Sequence, residues 1–416
     1  MKPKILVISE LYPNKEKPAF GIFVERQVNQ LKEKYDVVVV APIRVFPPLS
    51  IFKDLFKLKI KSFFYNIKKW KNDFKKIPEH QKINEVEVYY PRYTSLPRQV
   101  FHSTWGFFLY TFQKKFFEEL QKRNNFELIH AHYATAPGLC ALYLKKVFNI
   151  PVVLSIHGSD VYYTVHQNRM AKNILKFIFD KVDYIVTNST ITNKKVLEIG
   201  GKIETTEIVR LGGEFNKKQA PLGSVKHCRE INILTVGYLE ERKGHIYVLK
   251  ALKSLIKLFP GIKYYIVGNG PKEEELQTYV KENNMSENVI FEGYKPHKEA
   301  ISYFEKADIF ILPSWNEAFG VVYVEALAHS VPVIGCRGEG GPEDLSNLGN
   351  CILLVEKQNV TEIEENLLKL IKSEDLRYRM GNVGKGIVNQ HFTWKKNAEK
   401  MSNIYDRLIA SSNIRN

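Results

Sequence analysis

Short β-rich runs alternate with helical patterns along most of this chain, and that alternation constrains the fold more than any other feature. Residues 4–8 read as a strand, 23–33 as a helix and 36–41 as a second strand, the signature of a βαβ unit in which parallel strands are joined by a crossover helix. The pattern resumes at 127–130, 151–156 and 183–187. Residues 1–210 are therefore expected to form one parallel-sheet domain, interrupted by an insertion at about 44–125. A polar stretch at 211–230, with Pro221, Gly223 and several lysines, breaks the pattern and reads as a linker.

The alternation then starts again. Strands are expected at 231–237, 263–267, 289–291, 309–312 and 332–335, and Val248, Leu249, Leu252, Leu255, Ile256 and Phe259 recur at helical spacing along one face. This predicts a second doubly wound α/β domain at 231–391. Open parallel sheets bind ligands beyond the carboxyl ends of their strands, so the expectation is two Rossmann-like domains facing across a cleft, with functional residues just after strands.

Composition narrows the class. With 416 residues and 44% hydrophobic content, the chain can bury two cores. No run of eighteen apolar residues occurs, and the apolar run at residues 5–8 is too short for a signal peptide, which leads us to expect a cytoplasmic protein. Cys140, Cys228, Cys336 and Cys351 lie far apart and make no close C-x-x-C pair. His130 and His132 form an H-x-H pair with no evident third ligand nearby, and no metal is expected there.

The most informative stretch runs from Ser314 to Ala326, directly after a predicted strand. Glu317 and Glu325 frame Gly320 and a helix start near Phe319 and Gly320, where backbone N–H groups and the positive dipole end suit a diphosphate. Glu325 sits in an apolar run, where a buried carboxylate needs a hydrogen-bond partner; ligand hydroxyls fit, and so does backbone or a lysine. A second stretch, Val236 to Gly244, is a strand end, a loop carrying Arg242 and Lys243, then a helix. Lys243 there can neutralise a departing diphosphate, although a solvated lysine is the plain alternative. A third, Ser155 to Asp160, ends a strand with His157. Its imidazole can hydrogen-bond a hydroxyl, while helix-cap roles for Ser159 and Asp160 are the structural alternative. A fourth places Gly21 in a loop before the first helix.

On these stretches the chain resembles the retaining glycosyltransferase family 4 of the GT-B type, similar to bacterial capsule, exopolysaccharide and teichuronic acid glycosyltransferases. The family's Glu, seven residues, Glu motif followed by Ala is matched by Glu317, Glu325 and Ala326. The resemblance implies that Glu317 holds donor-sugar hydroxyls, Glu325 the nucleotide ribose, and the amides around Phe319, Gly320 and Val321 the phosphates. It further implies His157 beside the transferred sugar, Lys243 on the diphosphate, Gly21 approaching it from the other domain, and Tyr294 near the base. The chain departs from the family at Tyr238, where many members carry a phosphate-binding arginine; Arg242 is the nearby substitute. The segment 392–416 resembles the family's closing helix, which packs back on the first domain. The likeness excludes 44–125.

What the resemblance implies is hexosyl transfer with retention from a nucleotide-diphosphate sugar to a lipid-linked or saccharide acceptor, in cell-surface polysaccharide synthesis, without a metal or other cofactor. The formal charge of +16 is concentrated: ten basic residues lie between Arg44 and Lys76 against Asp54 and Asp73, interleaved with eight aromatics. An amphipathic basic helix is expected there, either lying on an anionic membrane at the inner face or covering the edge of the first core. Two other functions remain open on sequence alone. One is a nucleotide-sugar epimerase on a related scaffold; the other is a basic membrane or nucleic-acid adaptor, although no nucleic-acid motif supports it.

Overall fold

The computed structural model describes residues 2–45, 60–213 and 230–415, with the side chains of 69–75 and 415 outside the description. Most of the expected linker, 214–229, and the first part of the basic segment, 46–59, lie outside the described residues. The chain divides into two compact units: residues 1–188, 192–209 and 398–416 form the first, and 189–191 with 210–397 the second.

The first unit is built on an eight-stranded sheet. In spatial order its strands are Thr206–Ile208, Tyr184–Thr187, Val152–Ile156, Leu128–His132, Lys4–Ser9, Asp36–Val40, Val86–Tyr89 and His80–Ile83. All neighbours are parallel except the last pair, whose hairpin turns through Asn84 and Glu85 at positive φ. The central strands are buried on both faces, which is why they read as unbroken apolar runs. Leu6, Ile8, Val38 and Val40 join one core layer, while Ile5, Val7, Val37 and Val39 join the other. Met401, Ile404, Tyr405 and Ile409 of the helix Trp394–Arg415 pack into that second layer.

The region expected to be a simple insertion is partly integral to this unit. Residues 80–89 supply two strands, and the helix Trp105–Asn124 buries Leu109, Phe117 and Leu120 in the core. Ile43–Arg44 and Arg92–Tyr93 pair as a separate ribbon. The helix Ile60–Lys75 lies in the basic segment, where the apolar spacing predicts a helix, and leaves Ile60, Phe64 and Tyr65 exposed.

The second unit holds a six-stranded parallel sheet in the order Val289–Gly293, Ile262–Val267, Ile231–Val236, Ile309–Leu312, Val333–Cys336, Ile352–Val355. Val248, Leu249, Leu252 and Leu255, read from sequence as one helical face, are fully buried in its core. Strand order reverses between Ile231–Val236 and Ile309–Leu312, and in the first sheet between Lys4–Ser9 and Leu128–His132. Helices on either side of such a reversal diverge and open a crevice at the carboxyl edge.

Candidate functional site

In the second unit the two loops at the reversal point are the two strongest sequence motifs. The strand Ile231–Val236 leads into Glu240, Arg242 and Lys243, and the strand Ile309–Leu312 leads into Ser314 and Glu317. The loops are tied together by the Trp315 amide, which donates to the Arg242 carbonyl at 2.9 Å. Lys243 Nζ donates to Glu317 Oε2 at 2.6 Å, Arg242 lies 3.6 Å from the same oxygen, and Ser314 Oγ donates to it at 3.3 Å. Arg242 also pairs with Glu240 at 2.7 Å.

Burial by itself would raise the Glu317 carboxyl. The charges of Lys243 and Arg242, with the Ser314 hydroxyl, outweigh it and hold the group below the usual carboxylate range. Glu317 is therefore a fixed anion flanked by two cations. Its backbone amide donates to Glu339 Oε2 at 2.7 Å, which fixes the loop from the opposite side.

The helix after Glu317 is Val321–Ala328, so the predicted start at Phe319 and Gly320 falls one to two residues early. Gly320 has φ +73°, and a Cβ there would stand 2.5 Å from the Tyr323 ring. A side chain at that position would be strained and would collide with the tyrosine. Tyr323 in turn donates to the Leu312 carbonyl at 2.7 Å and lies 2.9 Å from Ser314 Oγ. Gly341 allows a second close approach: its Cβ would lie 1.7 Å from the Phe319 carbonyl oxygen. The segment leading into this helix is thus closely held, at Gly320 by the Tyr323 ring and at Phe319 by Gly341 of the helix Gly340–Ser346, with the amide end of Val321–Ala328 at the carboxyl edge of the sheet.

Glu325 is 7% exposed, and its protein partner is neither backbone nor lysine but His297, whose Nε2 lies 2.8 Å from Oε1. Sequence reading missed His297. It follows Tyr294, Lys295 and Pro296, and only the placement of the helix His297–Ser302 brings it to the carboxylate. Tyr238 and Tyr294 are more than half exposed on the same unit.

The first unit holds the remaining two expected site residues. Gly21 has φ +70° and precedes the helix Ile22–Leu31; a Cβ would fall 2.3 Å from the Leu11 backbone. His157 follows the strand Val152–Ile156, with Phe23 and Tyr133 rings 4.7 and 5.0 Å from its own. Its Nε2 meets His132 Nδ1 at 2.9 Å. Burial depresses His157 to about 3, and burial with the neighbouring His157 holds His130 at about 3. Burial and both neighbours push His132 well down. All three imidazoles are neutral near pH 7. Among the described residues no group of three or more His, Cys, Asp or Glu is arranged to hold a metal ion.

Two units, each built on a mainly parallel sheet whose strand order reverses once, have the GT-B fold of glycosyltransferases. Solved structures share that fold. Sucrose-phosphate synthase from Thermosynechococcus elongatus matches with a TM-score of 0.75 at 20% identity, covering 99% of this chain and 100% of that one. Anabaena Alr3699/HepE in complex with UDP-glucose matches at 0.67 and 16% identity, covering 97% and 100%.

The chain belongs to the glycosyltransferases of group 1 and family 4: the model for glycosyl transferases group 1 matches residues 223–386, and that for glycosyltransferase family 4 matches residues 75–209. The putative teichuronic acid biosynthesis glycosyltransferase TuaC of Bacillus subtilis is 25% identical over 98% of this chain and 100% of its own length. An uncharacterized glycosyltransferase of Methanocaldococcus jannaschii, MJ1178, is 28% identical over 68% of this chain and 76% of its own. The match beginning at residue 75 agrees with the integration of residues 80–124 into the first unit.

Proposed function

We propose that this protein transfers a hexosyl unit from a nucleotide-diphosphate sugar to a lipid-linked or saccharide acceptor, with retention and without a metal, in cell-surface polysaccharide synthesis. The observation that carries the reading is the Lys243, Arg242 and Glu317 cluster beside the amide end of the helix Val321–Ala328. Two cations and a helix N-terminus stabilise the charge that develops on a departing diphosphate. Glu317, held ionised, accepts hydrogen bonds from donor-sugar hydroxyls, and Glu325, oriented by His297, accepts from the ribose.

Arg242 supplies the second phosphate-binding cation that the family resemblance would put at Tyr238. His157 contacts the transferred sugar, Gly21 admits the diphosphate from the first unit, and Tyr294 lies by the base. In the retaining route the acceptor hydroxyl attacks from the face that the diphosphate leaves. Its proton passes to the leaving phosphate oxygen, so no enzyme nucleophile is required.

The acceptor and setting follow the relatives: TuaC and the Erwinia amylovora protein AmsK are named for teichuronic acid and amylovoran biosynthesis. A peripheral position on the inner face of the membrane is supported by the helix Ile60–Lys75, where exposed Ile60, Phe64 and Tyr65 lie among Lys61 and Lys68. Among the described residues no helix is long and apolar enough to cross a membrane.

The test is thermal stabilisation by UDP, GDP, ADP, CDP and dTDP in excess chelator, because a ligand that binds only the folded state raises Tm. One diphosphate raising Tm supports the site and names the base. No shift from any of them, or a shift only with added metal, overturns the metal-independent donor site. Release of that diphosphate only when acceptor is added separates transfer from epimerisation, and the anomeric configuration of the product tests retention.

A further inference from the structure

The H-x-H pair at the end of the strand Leu128–His132 has no role in the reading above, yet it lies where the first sheet reverses its strand order. His130 is held at both ring nitrogens: Nε2 lies 2.7 Å from Ser155 Oγ and Nδ1 lies 2.6 Å from Tyr405 Oη. So fixed, it forms a wall for His132, whose ring centroid stands 4.2 Å away. His132 is 1% exposed and spends Nδ1 on His157 Nε2, the two rings lying within 8° of parallel. The remaining nitrogens, His132 Nε2 and His157 Nδ1, are buried and have no hydrogen-bond partner among the described residues.

Proton placement follows from chemistry. Both rings are neutral, so each carries one N–H, and a single proton lies between His132 Nδ1 and His157 Nε2. If His132 supplies it, His157 carries its own proton on Nδ1 and His132 Nε2 is a bare acceptor. If His157 supplies it, the second proton sits on His132 Nε2, deep in the core with nothing to donate to. Buried N–H groups without acceptors are rarer in proteins than under-used acceptors. Both of these nitrogens are buried, but residue His157 is part-exposed whereas His132 is 1% exposed, so the donor that lacks a protein partner is better placed on His157, the residue a ligand can reach.

We propose that His132 is a positioning residue for His157: its Nδ1–H fixes the rotation and tautomer of His157, so that His157 presents an N–H donor at Nδ1 to a ligand oxygen. Tyr405, from the C-terminal helix, braces the array through His130. The inference rests on the proposed contact between His157 and the transferred sugar, and the experiment keeps the two apart.

Histidine-selective 15N labelling and long-range 1H–15N correlation spectra at neutral pH read the tautomer directly. In the wild type His157 shows a protonated Nδ1 and an unprotonated Nε2. His132→Asn keeps a donor near the Nδ1 position and preserves that signature, whereas His132→Gln displaces the donor and His132→Phe removes it, and both give a mixture of tautomers. With the nucleotide sugar selected by the diphosphate screen, kcat falls about tenfold in the Gln and Phe variants, with donor KM nearly unchanged, and is largely kept in Asn. A wild-type His157 protonated on Nε2 overturns the proposal. So does equal turnover in the Asn and Gln variants, a comparison that stands even if the Phe variant does not fold. If His157→Ala itself retains full turnover, the sugar contact is wrong and the inference falls with it; if that variant is inactive while all His132 variants match the wild type, only the inference falls.

Discussion

The carboxyl edges of the two sheets solve the problem of burying polar groups in opposite ways. In the second unit, Glu317 stays ionised because Lys243 and Arg242 offset the cost of its burial. In the first, His130, His132 and His157 stay uncharged because burial makes protonation costly and their nitrogens bond to one another, to Ser155 and to Tyr405. A charged edge suits an anion such as a diphosphate. A neutral edge suits hydroxyl groups, which need directional donors and acceptors rather than charge. Two sheets of similar topology thus carry edges of opposite electrostatic character, one charged and one neutral.

The largest expected effect breaks the charged edge. Lys243→Ala removes the closest cation and leaves Glu317 with Arg242 only; turnover is expected to fall by about 10²–10³, the scale of losing one preorganised charge-stabilising group. Steady-state kinetics with the matched nucleotide sugar measures it, and an unchanged kcat would sink the diphosphate site.

The next effect separates the edges by pH. His102, His130, His132, His157 and His245 all have folded pKa values pushed below the ordinary imidazole value, first by burial. Below about pH 6.5 the unfolded chain therefore binds protons that the folded chain refuses, and stability falls as pH drops from 7 towards 4. Glu10 and Asp160, raised by burial, the latter to about 7, work in the opposite sense over the same window and cancel part of the loss. The net expectation is a loss on the order of a few kcal/mol between pH 7 and 5. Denaturant titrations at both values test it, and a flat profile would contradict the neutral edge.

Smaller effects sharpen the picture. Glu325→Ala is expected to weaken nucleotide diphosphate binding about 10- to 30-fold, as loss of a charge-assisted hydrogen bond does. His297→Ala is expected to lower it less, because the Glu325 carboxyl group stays in place and loses only its orienting partner; calorimetry ranks the two, and equal losses would give His297 a direct role. Tyr405→Phe is expected to cost about 1 kcal/mol of stability by removing one buried hydrogen bond. Chemical denaturation reads that change.

The legible parts of this protein were those written locally. Strands buried on both faces appear as apolar runs, and the helical face of Val248, Leu249, Leu252 and Leu255 appears as a period, because each reports its own burial. The hairpin at residues 80–89 was not legible: at the sheet edge its first strand alternates exposed and part-exposed residues and its second buried and part-exposed ones, and both are short with little apolar signal. Lys243 was singled out by its place after a strand, and Glu317 and Glu325 by the Glu, seven residues, Glu motif of the family the chain resembles. Their partners were not: His297 reaches Glu325 across 28 residues, and Tyr405 reaches His130 across 275.

By itself the sequence determined the class of fold, two parallel sheets with crossover helices, because hydrophobic period and strand spacing are local properties summed along a chain. It also pointed to the loops proposed to carry chemistry, because in such sheets loops after strands gather at one edge. The tertiary structure alone decided how each ionisable group behaves. Burial and partners set charge state, and both depend on residues that meet only when the chain has folded. Lys243 became an anchor for Glu317 instead of a solvated lysine, and His132 became the hydrogen-bond partner of His157.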